Sequence, residues 1–146
     1  MSLEANKALV RRYFDEVLDG RRTEVVYEVF APDCRVHFPH ETEPRVGSDV
    51  VFRSLAAARD NVATMVSHLE HIIAEGDLVA VRLRHNVTYQ ADIPSRVGKL
   101  SAAGKSVSWV AHAFFRIQDG KIVEEWVQRD EAGILEQLGG LRRASS

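Results

Sequence analysis

The sequence predicts an α+β fold, a cone-shaped, curved antiparallel sheet packed against N-terminal helices. Three observations predict it. Apolar residues recur at three- and four-residue steps only in the first part of the chain, up to about Arg59. From Met65 onward the apolar pattern alternates in twos. A short capped helix then follows the last strand. Helices and strands segregated in this way belong to an α+β layer packing. A curved sheet closed on one side by helices leaves a cone-shaped hole, a natural small-molecule pocket.

The elements follow in order. Residues 3–18 read as a helix, because Leu9, Val10, Tyr13, Phe14 and Val17 form one apolar stripe. Asp19-Gly20 ends it with a glycine suited to a left-handed C-terminal residue. A second helix runs from Thr23, an N-capping residue type, to Phe30. Pro32-Asp33 breaks the chain, Cys34 to Phe38 is a short strand, and Pro39 to Gly47 is a polar loop. Ser48 caps a third helix to about Arg59, with Phe52, Leu55 and Ala56 on its buried side. Met65 to Ala74 and Leu78 to Gln90 are strands joined at Glu75-Gly76-Asp77. Val79, Val81 and Leu83 alternate there with Arg82 and Arg84, giving one apolar face and one polar or paired face. Ala91 to Lys105, with Pro94, Gly98 and Gly104, reads as a flexible loop, long enough for a pocket lid or a dimer contact. Ser106 to Ile117 and Lys121 to Arg129 form a hairpin around Asp119-Gly120, and Asp130 caps a last short helix.

The 146 residues are expected to form a single domain, 1–146, with 1–2 and 141–146 flexible. Nineteen basic and 21 acidic residues are well mixed, for a formal charge of -2, so neither nucleic acid nor an anionic membrane is an expected partner. Cys34 is the single cysteine, which excludes an intramolecular disulfide and a Cys-based zinc site. The chain opens with no signal pattern and no apolar run reaches the ~18 residues that span a bilayer, so a cytoplasmic location is expected. No cofactor is implied, because there is no glycine-rich phosphate loop and no His/carboxylate metal spacing.

Residues 114–138, from Phe114-Phe-Arg-Ile-Gln-Asp-Gly through Glu125-Trp-Val to Ile134-Leu-Glu-Gln-Leu138, resemble the C-terminal signature of SnoaL-like polyketide cyclases. These are a branch of the nuclear transport factor 2-like superfamily. Arg12-Tyr13-Phe14, Ala31 through Pro39 and Glu43-Pro44-Arg45-Val46-Gly47 also resemble ketosteroid isomerase, another branch. The two likenesses bracket nearly the whole chain and imply the cone fold and a homodimer. Fold alone does not fix chemistry on such a scaffold. Against the isomerase pattern, Tyr13 matches the oxyanion tyrosine, whereas the base Asp falls on Phe38 and the protonated acid on Ala113. Against the cyclase pattern, the cavity Asp and His fall on Val127 and Ala113. The scaffold matches and the usual acid/base residues are replaced by apolar ones.

The expected cavity wall comprises Tyr13, Val36, Phe38, Trp109, Ala111, Ala113, Phe115, Glu125 and Val127, with Phe52 as a further substrate contact. The wall depends on the last hairpin. A three-residue loop pairs Ile117 with Lys121 and sets Phe115 opposite Val123, Ala113 opposite Glu125 and Ala111 opposite Val127. A two-residue Asp119-Gly120 turn instead sets His112 opposite Val127. The resemblance favours the first register.

Glu125 and Tyr13 are the candidate catalytic residues. A carboxylate in an apolar cone has a raised pKa and serves as acid or base; the competing structural role is a rim Glu paired with Arg82, Arg84 or Arg129. Tyr13 can donate to a carbonyl or enolate, or serve as an amphipathic core residue. Trp109 and Phe38 suit a flat or polyene ligand and are equally core residues. His37 has the parity that points away from the cavity, His68 and His71 are expected on opposite faces, and His85 and His112 are isolated strand histidines. Asp130 reads as a helix cap, and Arg116 and Glu124 as outer-face neighbours. Phe114 and Trp126 on that outer face point to a homodimer interface.

The leading expectation is a polyketide-type cyclase of secondary metabolism. It would fold an apolar polyketide or polyene for intramolecular ring closure, cycloaddition-like closure included. The alternatives are a proton-transfer isomerase or hydrolase using Glu125, and a non-catalytic protein binding small hydrophobic ligands.

Overall fold

A computed structural model describes residues 2–142 and 144–145. The expected flexible ends fall partly on Met1, Arg143 and Ser146, outside the described residues. Ser2 has a definite role, since its side chain caps the first helix by accepting from the Ala5 amide.

Helix α1 (Leu3–Arg12) continues into a wider π-helical segment, Tyr13–Asp19. A short 3-10 turn (Thr23–Val25) leads into α2 (Val26–Val29), and α3 spans Ser48–Asp60. The strands are β1 (Phe30–His37), β2 (Arg45–Val46), β3 (Val62–Glu75), β4 (Leu78–Tyr89), β5 (Ser106–Gln118) and β6 (Lys121–Arg129), followed by α4 (Glu131–Gln137). They form one sheet in the order β2-β1-β6-β5-β4-β3. All neighbours are antiparallel except β1 and β6, which run parallel. The sheet is thus mixed at one pair, because the helical N-terminus delivers β1 alongside the last strand. No helix among the described residues is long and apolar enough to cross a membrane.

Several local readings are corrected. Gly20 is not left-handed; its φ is -75° and the left-handed residue is Arg21, at 57°. Glycine is needed at position 20 for space, since a Cβ there would sit 2.7 Å from the Glu16 carbonyl oxygen. Thr23 opens the 3-10 turn instead of capping it, and its hydroxyl accepts from Arg59 Nη1 at 3.2 Å. Gly47, at φ 109°, is the N-cap of α3, with Ser48 as its buried first residue. Strand β1 begins at Phe30, four residues before the expected start, because an irregularity between Phe30 and Arg35 absorbs Pro32-Asp33. The 91–105 segment is folded on itself by reciprocal Ile93–Leu100 backbone bonds of 3.1 and 2.8 Å, with Leu100 and Ala102 buried.

The hairpin uses neither simple register. Gln118 pairs with Lys121 across a two-residue Asp119-Gly120 turn, yet Arg116 pairs with Glu124. The extra residue, Val123, is a bulge that shifts every later pair by one. Phe115 therefore faces Glu125, Ala113 faces Val127 and His112 faces Gln128. The expected inward parity of Glu125 and Val127 is restored, with partners two residues away from the expected ones. A second bulge, at Glu70, pairs His68 with Arg84 and His71 with Arg82, so both histidines share the exposed outer face.

The core fills the narrow end of the cone. Tyr13 meets Phe14 and Phe30 edge-on at 5.2 and 5.1 Å, and Phe115 closes the cluster at 5.9 Å from Tyr13 and 6.0 Å from Phe14. Each such pair is worth about 0.5–1.5 kcal/mol beyond its buried area, enough to make this end a rigid floor.

Candidate active site

Above the aromatic floor lies a cavity of about 650 Å³, bounded by the π-helical segment, α3 and the inner face of the sheet. That size suits a drug-sized organic molecule. Tyr13, Val36, Phe38, Trp109, Ala111, Ala113, Glu125 and Val127 all lie on its wall. Phe115 and Phe52 do not. Phe115 is wholly buried behind Tyr13 and Phe14, and Phe52 stacks on Tyr27 at 5.3 Å, on the side of α3 away from the cavity.

Glu125 stands on β6 in register with Val36 on β1 and Phe115 on β5. It is 7% exposed, and its carboxyl makes no hydrogen bond or ion pair among the described residues. Burial without a partner penalises the carboxylate and raises its pKa to about 8. The expected rim pairing fails because Arg82 lies on the outer face with Glu70 and His112, while Arg129 Nε meets Glu131. Tyr13 faces the same floor from the helix, and burial, then the nearby Glu125 and Cys34, hold its pKa well above the usual value. Burial likewise lifts Cys34 to about 11. At neutral pH the floor therefore presents an uncharged carboxylic acid and an uncharged phenol, both hydrogen-bond donors.

Charge is confined to other parts of the wall. Arg45 lies over the Phe38 ring at 4.4 Å and donates to Glu41 at 2.9 Å. Arg21 reaches across to the Ala63 and Val62 carbonyls at 2.8 and 2.9 Å, and Arg59 donates back to the Arg21 carbonyl at 2.8 Å. These two arginines tie α3 and the helical N-terminus to the start of β3, and so fix one rim.

The sequence reading missed His85, Tyr89, Met65, Leu55 and Arg129 on the wall. The signal for His85 and Tyr89 was present, since Val79, Val81, Leu83, His85, Val87 and Tyr89 share one parity and all are buried. His37 points outward as expected, stacking parallel on Trp126 at 5.3 Å and bonding Glu124 at 2.7 Å. Asp130 caps α4 by accepting from the Gly133 amide at 3.0 Å.

An α+β cone with helices over one face of an unclosed six-stranded sheet is also the fold of the solved structures this chain matches. AclR from Streptomyces galilaeus is 22% identical, covering 99% of this chain and 91% of its own, at a TM-score of 0.83. TsrD from Streptomyces laurentii is 18% identical over 97% and 99%, at 0.82. A SnoaL-like polyketide cyclase from Agrobacterium tumefaciens is 18% identical over 95% and 100%, at 0.76. The chain belongs to the SnoaL-like polyketide cyclase family, whose family model matches residues 8–138. Among curated proteins none matches significantly.

Proposed function

We propose that this protein is a polyketide-type cyclase that folds a flexible, largely apolar chain inside the cone and closes a ring within it. Family membership supports the general role. The observation that carries the finer reading is the buried Glu125, unpartnered among the described residues, beside Tyr13 at the floor of a cavity whose arginines lie on other parts of its wall. Confinement alone lowers an intramolecular barrier, by about 7–11 kcal/mol where the ends are ideally aligned. Glu125 and Tyr13 add two neutral donors for one carbonyl oxygen. In an aldol-type closure the enol carbon of the chain bonds to that carbonyl carbon, the C=O π electrons move to oxygen and take the Glu125 proton, and the proton released from the enol O–H returns to the Glu125 carboxylate. In a cycloaddition no proton moves, and the same donors polarise a conjugated carbonyl.

The pKa of Glu125 favours acid over base at neutral pH, which ranks the isomerase or hydrolase reading second. The test begins with the protein purified from its native host and mass spectrometry of the molecules it retains. Those molecules are then incubated with the wild type, Tyr13→Phe and Glu125→Gln. Ring closure should slow by about 10–100-fold in each variant and fall as pH rises through about 8. A rate that climbs through the same pH would favour Glu125 as a base. Retention without conversion by the wild type would make the protein a binder. Unchanged turnover in both variants would sink the proposed roles. The outer face, with Phe114 51% exposed, is the surface through which we propose two copies pair.

A further inference from the structure

The cavity holds a second group of polar side chains that the chemistry at Glu125 leaves unused. His85 and Tyr89 project from inward positions of β4, Arg129 comes from the end of β6, and all three line the same cavity. His85 is 6% exposed. Its Nδ1 is taken by Ser67 Oγ at 2.8 Å, on the register partner across β3, and its ring tilts against Trp109 at 5.3 Å. Those two contacts fix the ring and leave Nε2 without a partner among the described residues. In the tautomer in which Ser67 donates to Nδ1, Nε2 carries the proton and is a donor. The Tyr89 hydroxyl is likewise unpartnered among the described residues, at 9% exposure. Arg129 Nε lies 3.4 Å from Glu131 Oε2, which leaves its two terminal nitrogens uncommitted among the described residues. Burial first, then the Arg129 charge, lower the His85 pKa to about 4, so the imidazole is neutral at neutral pH. The guanidinium is the cation of the group.

Position separates this group from the floor. His85 is level with Trp109 on β5 and Glu125 is level with Phe115, six residues along the strand. At ~3.3 Å per residue His85 lies about 20 Å along the sheet from Glu125, and Arg129, four residues past Glu125 on β6, about 13 Å. An extended chain spans these distances.

We propose that His85, Tyr89 and Arg129 form a carboxylate-binding pole at the Trp109 end of the cavity. The substrate is then an elongated acid with an apolar middle, its carboxylate held here and its reacting carbonyl at Glu125 and Tyr13. This rests on the reading of the cavity as the site of an apolar chain. Arg129 and Tyr89 supply the charge and a hydroxyl donor, and the Ser67-held imidazole supplies a donor of fixed direction.

The test uses cis-parinaric acid, an 18-carbon fluorescent polyene acid, and its methyl ester, titrated into the purified full chain. The wild type should bind the acid more tightly than the ester by about tenfold or more, as expected for charge-assisted hydrogen bonds. His85→Phe and Arg129→Met should each cut that preference to about threefold or less while leaving ester affinity in place. His85→Gln, which keeps a donor, should retain most of it, and Glu125→Gln should not change it. If His85→Phe does not fold by circular dichroism, Arg129→Met and Tyr89→Phe carry the comparison. Equal affinity for acid and ester in the wild type, or a preference that survives Arg129→Met, overturns the pole and leaves the apolar cavity standing. Loss of the preference in Glu125→Gln alone overturns it by placing recognition at the floor. Failure of the ester itself to bind overturns both readings.

Discussion

The two faces of the one sheet treat their polar residues in opposite ways. On the outer face Glu124 lies within 2.7 Å of His37, 3.7 Å of Arg35 and 3.9 Å of Arg116, and Arg116 also donates to Asp77 at 2.9 Å. On the inner face the next residue, Glu125, has no partner among the described residues and is neutral below about pH 8. Adjacent carboxylates on one strand thus differ in environment by parity alone. Paired groups near solvent contribute little and cost little. An unpaired buried acid opposes folding once ionised, and groups perturbed in this way cluster at functional sites.

The comparison can be broken by experiment, and the largest effect belongs to Glu125. Its folded pKa lies above its unfolded value, so its stabilising contribution is fully present below about pH 4.5 and is lost as pH rises through about 8. Urea unfolding of the wild type should show that loss, on the order of a few kcal/mol, and Glu125→Gln should flatten it. An unchanged slope would mean that the carboxyl finds a partner in solution. His85 should give the opposite slope, smaller in size. Its pKa is depressed to about 4, so its contribution is present above about pH 6.5 and is lost as pH falls toward 4. His85→Gln should remove that acid-side loss, read by the same unfolding series.

On the outer face, Phe114→Glu should weaken self-association about tenfold or more, measured by sedimentation, if that face joins two copies. A monomeric wild type would instead leave Phe114 as a solvent-facing aromatic. The smallest effect should come from Glu124→Gln, which loosens His37 and Arg35. Its cost should stay within about 1 kcal/mol by thermal unfolding. A larger loss would mean that the outer network, too, is effectively buried.

The fold was legible wherever a periodicity persisted. The stripe through Val10, Tyr13, Phe14 and Val17 and the alternation of β4 and β5 survive unchanged in the structure. So does the Asp130 cap, which depends on neighbours within three residues. Reading failed at single inserted residues. Periodicity carries no information on the phase slips at Glu70 and Val123, which depend on partners across the sheet. The floor of the candidate site was legible because Glu125 and Tyr13 are unlike their neighbours. Phe52 was misplaced because the helical stripe does not say which edge of the buried face meets the cavity and which meets Tyr27. His85 went unnoticed because its contacts, Ser67 and Trp109, come from two other strands.

The bulge at Val123 has a further consequence for how this wall can change. Every residue of β6 beyond it is held in phase by that one insertion, against a turn that by itself would run one step out of phase with the wall. A hairpin that paired Val123 with Arg116 instead of bulging it would exchange the two sides of the strand, turning Trp126 toward the cavity and Glu125 toward solvent. Removing Val123 altogether would leave Glu124 opposite Arg116 and Glu125 opposite Phe115, so the wall depends on that residue staying out of the ladder and not on its being there.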